Sequence, residues 1–269
     1  MTPFDMEFFK MTAGGNDFIL FDNRAGVLGP DGLRDFIRRV TTRALSVGAD
    51  GVILLEKAPG ADVRARFFNP DGTPTFCGNG ARCVARLAYL KGIAPARLTV
   101  ETDVMRHRAE VKGAEVSFEM RDPQRFDDGI EVEVNGERLS GAFVDTGVPH
   151  FVLFRQPPPK EPIDPLGRLL RSHPRFAPEG VNVDFVRPID GGAYSIRTFE
   201  RGVEGETLAC GTGCATSPVR FVTRSGEPIR VRFEGDPRHA SGVRLEGEAR
   251  LVYVGHLTEE SVRGFTPAR

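Results

Sequence analysis

Phe76-Cys77-Gly78-Asn79-Gly80-Ala81-Arg82-Cys83 reads as the opening of a helix, and Ala209-Cys210-Gly211-Thr212-Gly213-Cys214 repeats its core, Cys-Gly-x-Gly, 133 residues later. The offset recurs elsewhere. Gly14-Gly15-Asn16-Asp17-Phe18-Ile19-Leu20-Phe21 returns at the same spacing as Gly147-Val148-Pro149-His150-Phe151-Val152-Leu153-Phe154, and Gly48-Ala49-Asp50-Gly51 returns as Gly180-Val181-Asn182-Val183 at a spacing of 132. Three matches in one order at nearly one offset indicate a duplicated unit of about half the chain. The expectation is two similar domains, each offering one cysteine at a helix start to a shared cleft.

The composition fits that reading. A chain of 269 residues has room for two ordinary domains, and 40% hydrophobic with 27% charged residues is a globular composition. A formal net charge of -1 points to no nucleic-acid partner. No apolar run approaches the roughly 18 residues that span a bilayer, so no membrane segment is expected. Met1-Thr2-Pro3-Phe4-Asp5-Met6-Glu7 lacks the basic and apolar regions of a signal peptide. The expected location is the cytoplasm, where four cysteines are reduced and chemical, metal-bound or buried rather than a disulfide framework.

Met6 to Asn23 alternates apolar and polar residues around Gly14-Gly15, which predicts strand, glycine turn, strand. Leu33, Phe36, Ile37 and Val40 have helical spacing, predicting a helix over 31–44 with Asp31 as its cap. Strands follow at 51–55 and 64–68, then the turn Asn69-Pro70-Asp71-Gly72. The helix after Cys77 runs over 79–91 and stops at Gly92, and 97–120 reads as a three-stranded meander. The polar stretch 121–128 suggests the boundary, giving an N-terminal α/β domain 1–122 and a C-terminal one 123–254, with 255–269 available to return to the first. In the second half, strands are expected at 131–134, 142–145, from Phe151, at 181–186 and at 194–199. A helix is expected over 166–172, a charged loop over 200–210, and hairpins over 220–254. The helix after Cys210 meets Pro218 and should end near Ser217, because an interior proline costs roughly 3 kcal/mol.

A thiol at a helix N-terminus faces unsatisfied N–H groups and the positive end of the macrodipole, both of which favour thiolate. The adjoining glycines let backbone amides approach an anion. Two such starts facing one carboxylate would hold one sulfur on each side of its α-carbon. That is the geometry of a two-base racemase, in which one thiolate removes the α-hydrogen and the opposite thiol returns a proton to the other face.

The sequence here resembles the diaminopimelate epimerase family nearly end to end. The resemblance rests on Gly15-Asn16-Asp17-Phe18, Gly48-Ala49-Asp50, Asn69-Pro70-Asp71-Gly72, Cys77-Gly78-Asn79-Gly80-Ala81-Arg82-Cys83, Gly147-Val148-Pro149-His150, Gly180-Val181-Asn182-Val183, and Glu200-Arg201-Gly202 leading to Glu206-Thr207-Leu208-Ala209-Cys210-Gly211-Thr212-Gly213. It implies an α+β fold of two pseudo-symmetric domains, each a mixed sheet or barrel around a central helix, with the active site in the inter-domain cleft. It implies a cofactor-independent epimerase of LL- and meso-diaminopimelate, on the route to lysine and peptidoglycan, acting as a homodimer. By matching positions, Cys77 and Cys210 are the acid/base pair. Gly78, Asn79, Gly211 and Thr212 hold the reacting carboxylate; Asn16, Asn69, Asn182, Glu200 and Arg201 hold the rest of the substrate; His150 supports the thiols. Three positions depart from the family pattern: Val148 stands where Asn is frequent, Gly51 where Gln is frequent, and the helix after Cys210 lacks roughly ten residues, about three turns.

Other readings have their own signatures. Cys83 and Cys214 suit buried, structural thiols. Asn16 and Asn69 in turns also suit a structural role, and Glu200 with Arg201 suits a surface ion pair. Another epimerase of the same architecture, proline-racemase-like, would share the cysteine motifs. A four-cysteine metal site or thiol-redox module would need tighter spacing than these cysteines have, so no metal is expected. A pyridoxal-phosphate route would need a Schiff-base lysine, and none of the five lysines lies in such a motif, so no cofactor is expected.

Overall fold

The structure is a computed structural model that describes residues 6–155, 161–201, 204–207, 220–236 and 238–262. The chain forms two compact units, Met1–Phe118 with Glu248–Arg269, and Glu119–Gly247.

In the first unit, β1 (Met6–Ala13) and β2 (Asn16–Asp22) form a hairpin closed by Gly14 and Gly15 at φ 62° and 101°. Those positive angles are strained for any residue with a Cβ. After α1 (Leu33–Thr41) comes β3 (Gly51–Glu56), parallel to β2, and then β4 (Val63–Phe68), antiparallel to β3. The short β5 (Pro74–Thr75) leads into α2 (Gly78–Leu90). β6 (Arg97–Glu101) lies parallel to β4 and continues into the antiparallel β7 (Arg106–Lys112) and β8 (Glu115–Glu119).

α2 buries ten of its thirteen residues, which makes it a core helix rather than an amphipathic surface one. It touches β1, β2, β3, β4 and β7, so strands surround it. Its end is a glycine stop: Gly92 has φ 65°, its N–H donates to Tyr89 O, and the Ile93 N–H donates to Ala88 O. α1 packs Leu33, Ile37 and Val40 into a separate cluster with Ile19, Phe21, Val52 and Leu54.

The second unit opens with the long hairpin β9 (Arg125–Val134) and β10 (Glu137–Asp145), turned by Asn135 and Gly136 at φ 52° and 77°. It continues through β11 (Pro149–Leu153), α3 (Asp164–Arg171), β12 (Asn182–Ile189), β13 (Ala193–Glu200), β14 (Gly205–Thr207), β15 (Arg220–Val222), β16 (Pro228–Glu234) and β17 (Ser241–Glu248). The last strand, β18 (Arg250–Leu257), runs antiparallel to β1.

The duplication read from the sequence is complete in the pairing. β2 and β3 are parallel, as are β11 and β12; β4 lies parallel to β6 as β13 does to β15, and the antiparallel pairs match in the same order. The repeated glycines match too, Gly48 with Gly180 at φ 73° and 71°, and Gly14 with Gly147 at φ 62° and 94°. The fold is therefore α+β with two duplicated, sheet-rich domains.

Several expected boundaries move. The first unit ends at Phe118 rather than residue 122, because Met120 N–H donates to Val243 O and Asp122 accepts from Val243 N–H, tying both to the second unit. The second unit ends at Gly247 rather than 254, because β18 pairs with β1 from Arg250 onward. α1 is capped by Gly32 at φ 70°, not by Asp31. The strands expected at 131–134 and 142–145 extend to β9 and β10, and the charged loop 200–210 contains β14. The expected helix after Cys210 lies outside the described residues.

Candidate active site

Cys77 is the N-cap of α2, extended at φ −138° and ψ 119°, and its carbonyl accepts the Ala81 N–H at 2.8 Å. The following amides of Gly78, Asn79 and Gly80 have no acceptor within the helix and point, with the macrodipole, toward its head. The half-buried thiol is thus carried on an anion-binding helix start. Phe76 anchors the approach, edge-on to Phe67 at 5.6 Å and stacked on buried His107 at 5.3 Å. Gly80 sets how deeply the helix head sits, because a Cβ there would stand 2.8 Å from Ile53 Cδ1 and 3.2 Å from Phe67 Cε1. Cys83 is fully buried, and burial pushes its thiol up to about 12. It is a packed neutral thiol, which agrees with the structural reading of that residue.

A chain of amides runs from the helix head. Asn79 Nδ2 donates to Asn16 Oδ1 at 2.8 Å, and Asn16 Nδ2 donates to Asp50 Oδ2 at 3.2 Å. Asp50 also accepts from Asp17 N–H at 3.2 Å and from Arg43 at 2.8 Å. Asp17 pairs with Lys10 at 2.7 Å and with Arg43. Burial pushes the Asp17 carboxyl up, but hydrogen bonds and charge from Arg43 and Lys10 outweigh it and hold the group below its ordinary range. Asn79 is fully buried, and its Oδ1 has no hydrogen-bond partner among the described residues.

The second unit carries the matching turn. His150 Nδ1 lies 2.8 Å from Asp184 Oδ2, and Asp184 Oδ1 accepts from Thr198 Oγ1 at 2.6 Å. Because a carboxylate only accepts, the His150 proton sits on Nδ1, leaving Nε2 3.5 Å from Asn182 Nδ2. Asn182 Oδ1 in turn accepts the Arg201 N–H at 2.8 Å. The Arg201 side chain reaches the Glu179 carbonyl at 3.2 Å and its carboxylate at 3.9 Å. Glu200 is half-buried at the end of β13, and its carbonyl accepts Glu204 N–H.

The sequence-predicted residues thus fall into groups. Cys77, Gly78, Asn79 and Asn16 meet in the first unit; His150, Asn182 and Arg201 meet in the second, with Glu200 beside them. Asn69 is exposed, and its Nδ2 donates to Thr73 Oγ1 within its own turn. Cys210, Gly211, Thr212 and Cys214 lie outside the described residues. At Gly51 a Cβ would stand 2.7 Å from the Phe68 carbonyl oxygen, so the close approach of that backbone favours glycine where the family pattern has the longer Gln. Sequence reasoning assigned no role to Asp184, Asp50 or Arg43. Two signals were available, an aspartate inside the apolar run of β12 and the Asp of Gly48-Ala49-Asp50.

The sequence profile of the Diaminopimelate epimerase family matches residues 8–126 and 142–257. The chain is 39% identical to the diaminopimelate epimerase of Aquifex aeolicus (strain VF5), across 95% of this chain and 99% of that one. It is 41% identical to that of Archaeoglobus fulgidus, across 87% and 92%. Among solved structures, a probable proline racemase from Agrobacterium radiobacter K84 superposes with a TM-score of 0.72 at 16% identity, covering 97% and 96% of the two chains. A phenazine biosynthesis protein of the PhzF family from Bacillus anthracis superposes at 0.67 and 15%, covering 94% and 98%; at such identities the likeness concerns the fold. Duplicated α+β units with a cysteine at the head of a buried helix, together with these relatives, define an isomerase of the epimerase type. The chain belongs to the diaminopimelate epimerase family.

Proposed function

We propose that the chain interconverts LL- and meso-diaminopimelate without a cofactor, with Cys77 and Cys210 as the acid/base pair. The observation that carries this reading is Cys77 at the N-cap of α2, where the free amides of Gly78 and Asn79 can take the reacting carboxylate. One cysteine, as thiolate, accepts the α-hydrogen as a proton, and the electron pair left on carbon spreads into the carboxylate. The other, as thiol, gives its proton to the opposite face, so the two sulfurs exchange protonation states. Fixed N–H donors hold the growing carboxylate charge without reorganising. Gly211 and Thr212 serve the same carboxylate from the second motif. Asn16, Asn69, Asn182, Glu200 and Arg201 hold the remainder of the substrate, and His150, fixed by Asp184, supports the site. The guanidinium of Arg201 suits the distal carboxylate, whose two oxygens it can bind together.

The product feeds lysine and peptidoglycan synthesis in the cytoplasm, and the working form is a homodimer. Support for a self-contact comes from β18, which exposes Leu251, Val252, Tyr253 and Val254 in succession, an apolar run suited to a partner surface. A proline-racemase-like activity is the second reading, favoured by the shared fold.

Proton NMR of LL-diaminopimelate in D2O with reduced protein tests the proposal. Loss of the α-hydrogen signal with growth of the meso isomer is expected without any additive. Exchange with proline instead, or undiminished exchange in Cys77→Ala or Cys210→Ala, overturns it.

A further inference from the structure

The amides of Asn16 and Asn79 are oriented by the carboxylate of Asp50. Asp50 Oδ2 accepts two N–H bonds, from the Asn16 side chain and the Asp17 backbone, and Arg43 holds the other oxygen. A carboxylate has no proton to give. Asn16 must therefore turn its NH2 to Asp50 and its Oδ1 to Asn79. Asn79 must answer with its own NH2, which leaves its Oδ1 as the free end of the chain, buried and without a partner among the described residues. An acceptor left in that state destabilises the protein unless a donor arrives. Asn79 is the second residue of α2, so this acceptor belongs to the same helix start as the donating amides of Gly78 and Asn79. A set of fixed donors beside one fixed acceptor matches an α-amino carboxylate zwitterion, whose ammonium lies one carbon from its carboxylate.

We propose that Asp50 is a positioning residue that orients Asn79 through Asn16, so that Asn79 Oδ1 accepts a hydrogen bond from the substrate's α-ammonium group. The inference rests on the reading that the site binds an α-amino acid. Without Asp50 the two amides can both rotate by half a turn. Asn79 would then present NH2 to an ammonium, donor against donor. The relay thereby selects amino acids over acids that lack nitrogen.

The test measures affinity for meso-diaminopimelate and for pimelate, the same dicarboxylate without ammonium groups, by titration calorimetry with the full-length reduced chain. In Asp50→Ala the preference for diaminopimelate over pimelate should fall about tenfold, the size of one charge-assisted hydrogen bond, with pimelate affinity unchanged within about twofold. Asp50→Asn keeps an oxygen that can face Asn16 and the Asp17 N–H while losing the charge, so it should retain most of the preference. If Asp50→Asn loses as much as Asp50→Ala, the aspartate acts through its charge and the relay is overturned. Equal loss of both ligands in Asp50→Ala overturns it as well. Should Asp50→Ala not fold, Asn79→Leu deletes the acceptor itself and must show the same selective loss. If the wild type turns over another amino acid, the substrate assignment fails, and that amino acid with its nitrogen-free analogue tests the relay in the same way.

Discussion

His150 Nδ1 and Asp184 Oδ2 lie 2.8 Å apart with side chains only 1% and 0% exposed, one strand apart across the parallel pair β11 and β12. Nothing from solvent can replace either partner. Asp184→Ala leaves the His150 N–H and the Thr198 hydroxyl without their shared acceptor, and a buried donor left unsatisfied costs about 1–3 kcal/mol. Urea unfolding should show a lowered midpoint with an unchanged slope. Asp184→Asn, which still offers one oxygen, should lose less.

Gly80 permits the close approach of α2 to β3 and β4. Gly80→Ala introduces a methyl 2.8 Å from Ile53 Cδ1, and overpacking of this kind costs about 1–3 kcal/mol. The helix head must retreat, taking the Gly78 and Asn79 amides with it. Turnover should therefore fall more than stability alone accounts for, which comparing kcat with the melting temperature will decide.

Acid should weaken the first turn. The Asp17 carboxyl is held low in the folded protein, against burial, by Arg43 and Lys10. A depressed folded value means that its contribution is present above the ordinary carboxylate pKa of about 3.9 and lost as the pH falls below it. Arg43→Met raises the folded value toward the unfolded one. The variant should be less stable than wild type at pH 6, and the gap in urea midpoints should narrow as the pH falls below about 3.9.

The two cysteines of the first motif should differ in reactivity. Cys83 remains a thiol at pH 8, since burial lifts it to about 12, and it is fully enclosed; Cys77 is half-buried at a helix head. Peptide mapping after brief iodoacetamide treatment should find Cys77 modified at least about tenfold faster than Cys83, a difference that vanishes in urea. Comparable native rates would contradict the assignment of Cys83 to the core.

What the sequence made legible was local. Gly14, Gly48, Gly147 and Gly180 all take positive φ, and a glycine required by backbone angle leaves the same mark wherever its unit is repeated. The helix start at Cys77 and its stop at Gly92 were likewise written within a few residues. The rest depends on register. Asp184 reaches His150, and Asp50 reaches Asn16, across 34 residues of chain in each case, and only the parallel pairings of β11 with β12 and β2 with β3 bring them together. The Asn135-Gly136 turn was visible in principle, but β9 carries mostly exposed polar residues toward its start and shows no clean alternation there. The cap of α1 failed for a simpler reason: Gly32 satisfies the entry by its left-handed angle without a side chain.

The pairing of β1 with β18 gives the two units different histories during synthesis. Glu119–Gly247 is one uninterrupted stretch, whereas the first unit takes its closing strand from residues 250–257. On the ribosome β1 must wait for some 240 further residues before that partner emerges. The second unit can complete its pairing while the first still lacks a strand, so the late-translated half is the one equipped to finish folding early. A chain truncated after residue 247 and released should therefore show protease resistance in the second unit but not in the first.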